Sequence, residues 1–228
     1  MAMNPSALGA DKCEIFHDFT QPVGTIAAAF DEWAPVETSA AGTPTVATVA
    51  DVANGEYELT HDSQDEVQNM TLHLGDQLVI DPTKGPVFEC KAKITIASGA
   101  SFSADQRVVM GLAAARNATL DSNTHHCWFK VDGASNLWVI EGDDGVVDTN
   151  DRGTGVPFVD DVMQTFVIDM TDLTAVKFSI DGVQVGGPVA VPTLAASNLL
   201  QPYFEIQKDG GAETDGLRID YCKVTWNR

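Results

Sequence analysis

Basic residues are scarce in this chain. Across 228 residues, 13 lysines and arginines face 33 aspartates and glutamates, for a formal net charge of −20. Such a surface repels phosphate backbones and anionic lipid, and no Lys/Arg cluster interrupts it, which argues against direct nucleic-acid binding. Long apolar runs are also missing. No window approaches the roughly 18 uninterrupted apolar residues of a membrane span. The opening MAMNPSALGADKCEIFHDF lacks the basic and apolar regions of a secretory signal, so the expected place of synthesis is a cytosol. Cysteine is sparse: Cys13, Cys90, Cys127 and Cys222 stand far apart with no CxxC pair, so zinc-knuckle and thioredoxin-like spacings are absent. Even parity permits two disulfides, but a cytosolic origin favours buried free thiols.

Helical periodicity is equally thin. Only Thr25–Trp33 (TIAAAFDEW) could form two turns, and its alanines fit an extended segment as well. Almost everywhere else the period is two. Phe88, Cys90, Ala92, Ile94 and Ile96 alternate with Glu89, Lys91, Lys93 and Thr95, the pattern of a strand with one buried face. Tyr57, Leu59 and His61 alternate with polar neighbours. Val176, Phe178 and Ile180 lead into Asp181-Gly182, followed by Val183 and Val185; a DG dipeptide between such runs predicts a tight hairpin. Asp132-Gly133 should join HHCWFKV (125–131) to Leu137–Ile140. Further strands are expected at 69–74, 77–80, 108–113, 165–170, 202–207 and 217–226, the last with a bulge where the apolar phase slips between Tyr221 and Cys222. With no repeat and no long linker, the expectation is one domain over residues 15–228, an all-β two-sheet antiparallel sandwich of jelly-roll type, preceded by a short N-terminal arm at residues 1–14.

Four stretches could carry chemistry. His125-His126-Cys127 offers three metal ligands in a row, but an extended strand puts His126, Trp128 and Lys130 on one face and His125, Cys127, Phe129 and Val131 on the other. A metal would need a distant third ligand such as His17, His61 or His73, and no spacing points there; the stretch reads as a strand. Glu141, Asp143, Asp144, Asp148, Asn150 and Asp151 crowd a Gly-containing loop with oxygen donors suited to Ca²⁺. DTNDRG departs from the DxDxDG loop and lacks a Glu at its twelfth position, so this reads as a solvated hairpin. A retaining glycosidase needs two carboxylates about 5 Å apart, which on one strand means Glu or Asp at i and i+2 or i+4, as in an ExDxxE pattern. Glu205-Ile-Gln-Lys-Asp209 breaks that pattern, and Glu141-Gly-Asp143 lies where a turn is expected. GxSxG is absent. Finally, Trp33, Trp128, Trp138 and Trp226 could stack on sugars, though tryptophan in a sandwich more often fills the core. No catalytic, metal or cofactor residue is expected.

Several segments together resemble the concanavalin A-like, laminin-G-like jelly rolls encoded among tailed-bacteriophage structural genes: Phe16-His-Asp18-Phe19, Asn54-Gly-Glu-Tyr57-Glu-Leu59, FECKAKI (88–94), Gly111-Leu112, FSIDG (178–182), LQPYFEIQKDGG (200–211) and IDYCKVTWNR (219–228). The resemblance implies a non-enzymatic virion protein, made in the host cytoplasm, that decorates or cements the head by binding the major capsid protein and sister copies, as a homotrimer. A tail or fibre module that binds host glycans is the alternative it leaves.

Overall fold

The computed structural model describes residues 11–19, 33–49, 52, 55–97, 102–133 and 135–228. Alternation in the sequence becomes two antiparallel sheets packed face to face. The first sheet holds eight strands: β1 (Lys12–His17), β3 (Thr45–Thr48), β4 (Tyr57–Thr60), β6 (Val87–Thr95), β11 (Gln164–Asp169), β12 (Val176–Ile180), β13 (Val183–Val189) and β15 (Gly216–Asn227). Its order is β13-β12-β11-β6-β15-β4-β3, with β1 also paired to β15. The second sheet holds seven: β2 (Ala34–Thr38), β5 (Gln68–His73), β7 (Gln106–Ala113), β8 (His126–Asp132), β9 (Leu137–Asp143), β10 (Asp148–Pro157) and β14 (Gln201–Lys208), in the order β10-β9-β8-β7-β14-β5-β2.

The inward residues follow the alternation. Phe88, Cys90, Ala92 and Ile94 of β6 are buried, and Phe129 of β8 meets Phe166 and Phe178 across the sandwich at ring distances of 5.1 and 5.2 Å. Burying each such ring contributes about 1.5–3 kcal/mol. On the outer face of the eight-stranded sheet the polar phase forms ion pairs: Lys91 with Asp220 and Arg218 with Glu58 across strands, and Lys93 with Asp161 of the turn before β11, each at 2.7 Å. At Asp181-Gly182 both φ values are positive, +50° and +78°, as a two-residue hairpin of this twist requires.

Three expectations need correction. Residues 77–80 form no strand; Ile80 makes a single bridge to Leu200. The irregularity in β15 falls between Ile219 and Tyr221, at Asp220, rather than between Tyr221 and Cys222; the extra residue there keeps Ile219 and Cys222 both inside. Lys12, Cys13 and Glu14, assigned to the arm, pair with Asn227, Trp226 and Thr225 as part of β1. Residues 25–32 of the possible helical stretch lie outside the described residues.

Candidate functional site

Polar side chains that point away from the core collect on the outer face of the seven-stranded sheet. Strand β8 contributes His126, Trp128 and Lys130, the face predicted for them, while Cys127, Phe129 and Val131 enter the core. Opposite Trp128 in register stands Glu141 of β9. Its carboxylate accepts from Trp128 Nε1 at 2.6 Å and from Lys130 Nζ at 2.8 Å. Lys130 also donates to Asp151 of β10 at 2.9 Å. Burial opposes the Lys130 charge, but the hydrogen bonds and fields of Glu141 and Asp151 outweigh it and hold the ammonium above the ordinary lysine value. Burial raises Glu141 despite its donors. His126 stacks on Trp128 at 3.6 Å and donates from Nδ1 to the Asn123 carbonyl at 2.7 Å. That leaves Nε2 as the unprotonated nitrogen, 4.0 Å from Glu141 Oε2, and burial lowers the His126 pKa to about 4.

A second network lies across β7. Glu205 of β14 accepts from the Tyr203 hydroxyl and from Asn69 Nδ2. Thr71 donates to Asn69 Oδ1 at 3.0 Å, and Arg116 Nε donates to Thr71 at 3.1 Å. Burial is the main reason that the Glu205 pKa rises to about 7. Tyr203 links the two networks, with its ring 6.2 Å from both His73 and Trp128. Between Tyr203 and Trp128 in register stands Gly111. A Cβ there would overlap the Cys127 carbonyl oxygen and lie 2.7 Å from Trp128 Cα, so only glycine lets these strands and rings close together. Leu120 packs with Val109, Ala113, Trp128 and Tyr203 in a small apolar cluster over this face.

Glu141 and Glu205 are therefore buried and engaged, and they stand three strands apart. At a spacing of about 4.8 Å per strand that is about 14 Å, beyond the separation of a glycosidase pair. Glu141 and Asp143 do share a face: β9 runs through Asp143, and the turn begins at Asp144, later than the sequence suggested. Burial raises the Asp143 pKa, and its Oδ1 accepts from the Gly145 amide. Both Glu141 oxygens are already occupied.

The other sequence candidates scatter. His125 precedes β8, and its Nε2 meets Asn198 at 3.0 Å. His17 lies on β1, His61 follows β4 and His73 ends β5. Asp144 of the acidic loop accepts from the Val146, Val147 and Thr193 amides, so its carboxylate pins that loop to the chain near 193. Among the described residues no group of three His, Cys, Asp or Glu side chains is arranged to hold a metal. Trp33, Trp128 and Trp138 are buried and Trp226 is half-buried against the core rim. The networks around Lys130 and Glu205 were not anticipated. Their one signal was polar residues at the outward phase of apolar strands, which any half-exposed strand also shows.

This architecture is the concanavalin A-like jelly roll. No protein-family model matches the chain, and no curated protein matches it. Among solved structures it is similar to a protein of unknown function from Shewanella oneidensis MR-1, with a TM-score of 0.66 at 11% identity, over 95% of this chain and 87% of that one. It is similar to the carbohydrate recognition domain of Emp47p, with a TM-score of 0.60 at 12% identity over 97% and 99%. A Bacteroides ovatus GH16 protein from a mixed-linkage glucan locus, solved with its product, gives a TM-score of 0.60 at 12% identity over 92% and 99%.

Proposed function

We propose that this protein is a non-enzymatic module that works by surface contact, as a structural component of a bacteriophage virion that decorates or cements the head. Its partners in this reading are the major capsid protein and sister copies, in a homotrimer. The observation that carries the non-catalytic part is that Glu141 and Glu205, on the outer sheet face, are buried and held by Trp128, Lys130, Tyr203 and Asn69. The virion part rests on the resemblance of FECKAKI, LQPYFEIQKDGG and IDYCKVTWNR to phage jelly rolls.

Glycan binding is the second reading, favoured by the likeness in fold to the Emp47p carbohydrate recognition domain. The burial of three of the four tryptophans weighs against a stacking platform. Two assays on the purified chain separate these functions. Incubation with a polysaccharide panel should release no reducing ends, and a glycan array should show no saturable binding. Reducing-end release would establish an enzyme, and saturable array binding would favour the glycan module.

A further inference from the structure

Two of the four cysteines face each other. Cys90 lies in β6 and Cys222 in β15, and the register of these neighbouring strands makes them direct partners. Both side chains point into the core at 0% exposure, and the two thiols are free. Directly opposed residues on antiparallel strands have Cα atoms about 4.5–5.5 Å apart, within the range that a disulfide spans. No other cysteine competes in register: Cys13 is opposite Trp226 and Cys127 opposite Leu112 and Gly142. We infer that Cys90 and Cys222 form a latent cross-strand disulfide site, left reduced when the chain folds under reducing conditions and closed when it folds in the presence of a low-molecular-weight disulfide.

The exchange balances with oxidised glutathione as the oxidant. One cysteine thiolate attacks a glutathione sulfur and expels a glutathione thiolate, leaving a mixed disulfide. The second cysteine thiolate attacks the protein sulfur of that mixed disulfide and expels the other glutathione thiolate. The protein loses two hydrogens and two electrons, and two molecules of reduced glutathione leave. Burial decides when this can happen. It pushes both thiols above the ordinary cysteine value and keeps a bulky oxidant out. The native dithiol is therefore inert, and the bond forms only in a chain that is unfolded or transiently open. Once formed it ties β15 to β6 and closes a loop containing every strand from β7 to β14, which restricts the unfolded chain.

The test uses the full chain. Unfolded protein is refolded in glutathione redox buffer or in reductant, trapped with an alkylating reagent and mapped by mass spectrometry. A Cys90–Cys222 linkage after oxidising refolding, with a raised thermal midpoint, is the expected result. Both thiols alkylated, a linkage to Cys13 or Cys127, or a bonded protein with a lowered midpoint would each overturn the inference. Native protein held in the same oxidising buffer should keep both thiols over the time in which the unfolded chain loses them; equally rapid native oxidation would overturn the protection by burial. The Cys13→Ser/Cys127→Ser double variant should still form the bond, and Cys222→Ser should yield no intramolecular bond at Cys90. If the double variant does not fold, the wild-type map alone decides.

Discussion

Lys208 ends β14 with its ammonium fully buried, donating to the carbonyls of Asp62, Gln64 and Gly211 at 2.6, 2.7 and 2.9 Å. One cation thus joins two loops distant in sequence. Lys208→Met keeps the stem but leaves these carbonyls unpartnered, and it should lower stability by about 3 kcal/mol in urea titration, since each orphaned buried group costs about 1–3 kcal/mol. A loss below about 1 kcal/mol would mean that water replaces the ammonium without difficulty. Glu205 makes the opposite kind of demand. Its pKa rises from 4.5 to about 7 on folding, so the unfolded state holds fewer protons between those values and stability falls as pH rises through that window. Glu205→Gln removes this loss while keeping an oxygen for Asn69 or Tyr203. Relative to wild type, the variant should gain about 3 kcal/mol between pH 4.5 and 8, because each pH step between the unfolded and folded values is worth about 1.4 kcal/mol. A pH-independent difference would refute the burial-driven rise. His126 has the other sign: its stabilisation is present above pH 6.5 and is lost as pH falls toward its folded value of about 4.

At the scale of elements, strands whose two faces differ were readable, as was the edge strand β13 through its Asp181-Gly182 hairpin, and three other edge strands were not. Strand β6 alternates without a fault because one face meets the core and the other meets paired charges. In the HHC stretch, strand geometry divides His126 from Cys127 as expected, whereas His125 precedes β8 instead of sharing the Cys127 face. Strand β10 has no such contrast: DTNDRGTGVP lies at the sheet edge, mostly exposed, and its composition is that of a loop. The same holds for β2, where Pro35 sits in an edge strand, and for the four residues of β3. The outer-face networks depend on partners from β5, β8, β9, β10 and β14, brought together only by the strand order. Strand β1, also not foreseen over its first half, covers the second half of β15 from Cys222 to Asn227. Deleting residues 1–17 should therefore cost at least ~2 kcal/mol more than deleting 1–11, through lost burial around Ile15 and an exposed strand edge. Equal stability of the two truncations would show that β1 contributes nothing to the sandwich.

For the whole molecule, charge is the dominant unspent property. Of the basic side chains, Lys91, Lys93, Arg218 and Lys223 pair with carboxylates on the outer face of the eight-stranded sheet, and Lys130 and Lys208 are buried. The net charge of −20 is therefore left with little local compensation, and self-repulsion destabilises the compact state. Raising NaCl from about 0.05 to 0.5 M, which shortens the screening length from above 10 Å to below 5 Å, should raise the thermal midpoint. A falling midpoint would mean that local pairs outweigh the global field. The same charge shapes any docking: an acidic module suits a basic rim, so its association should weaken as salt rises.

The proposed role, contact without catalysis in a virion, is tested most directly by cosedimentation of the purified chain with particles of the phage proposed to encode it, stripped of this protein. The account predicts saturable uptake at a fixed ratio to the major capsid protein, weakened by added salt. Protein that stays in the supernatant at every concentration and salt level would contradict it.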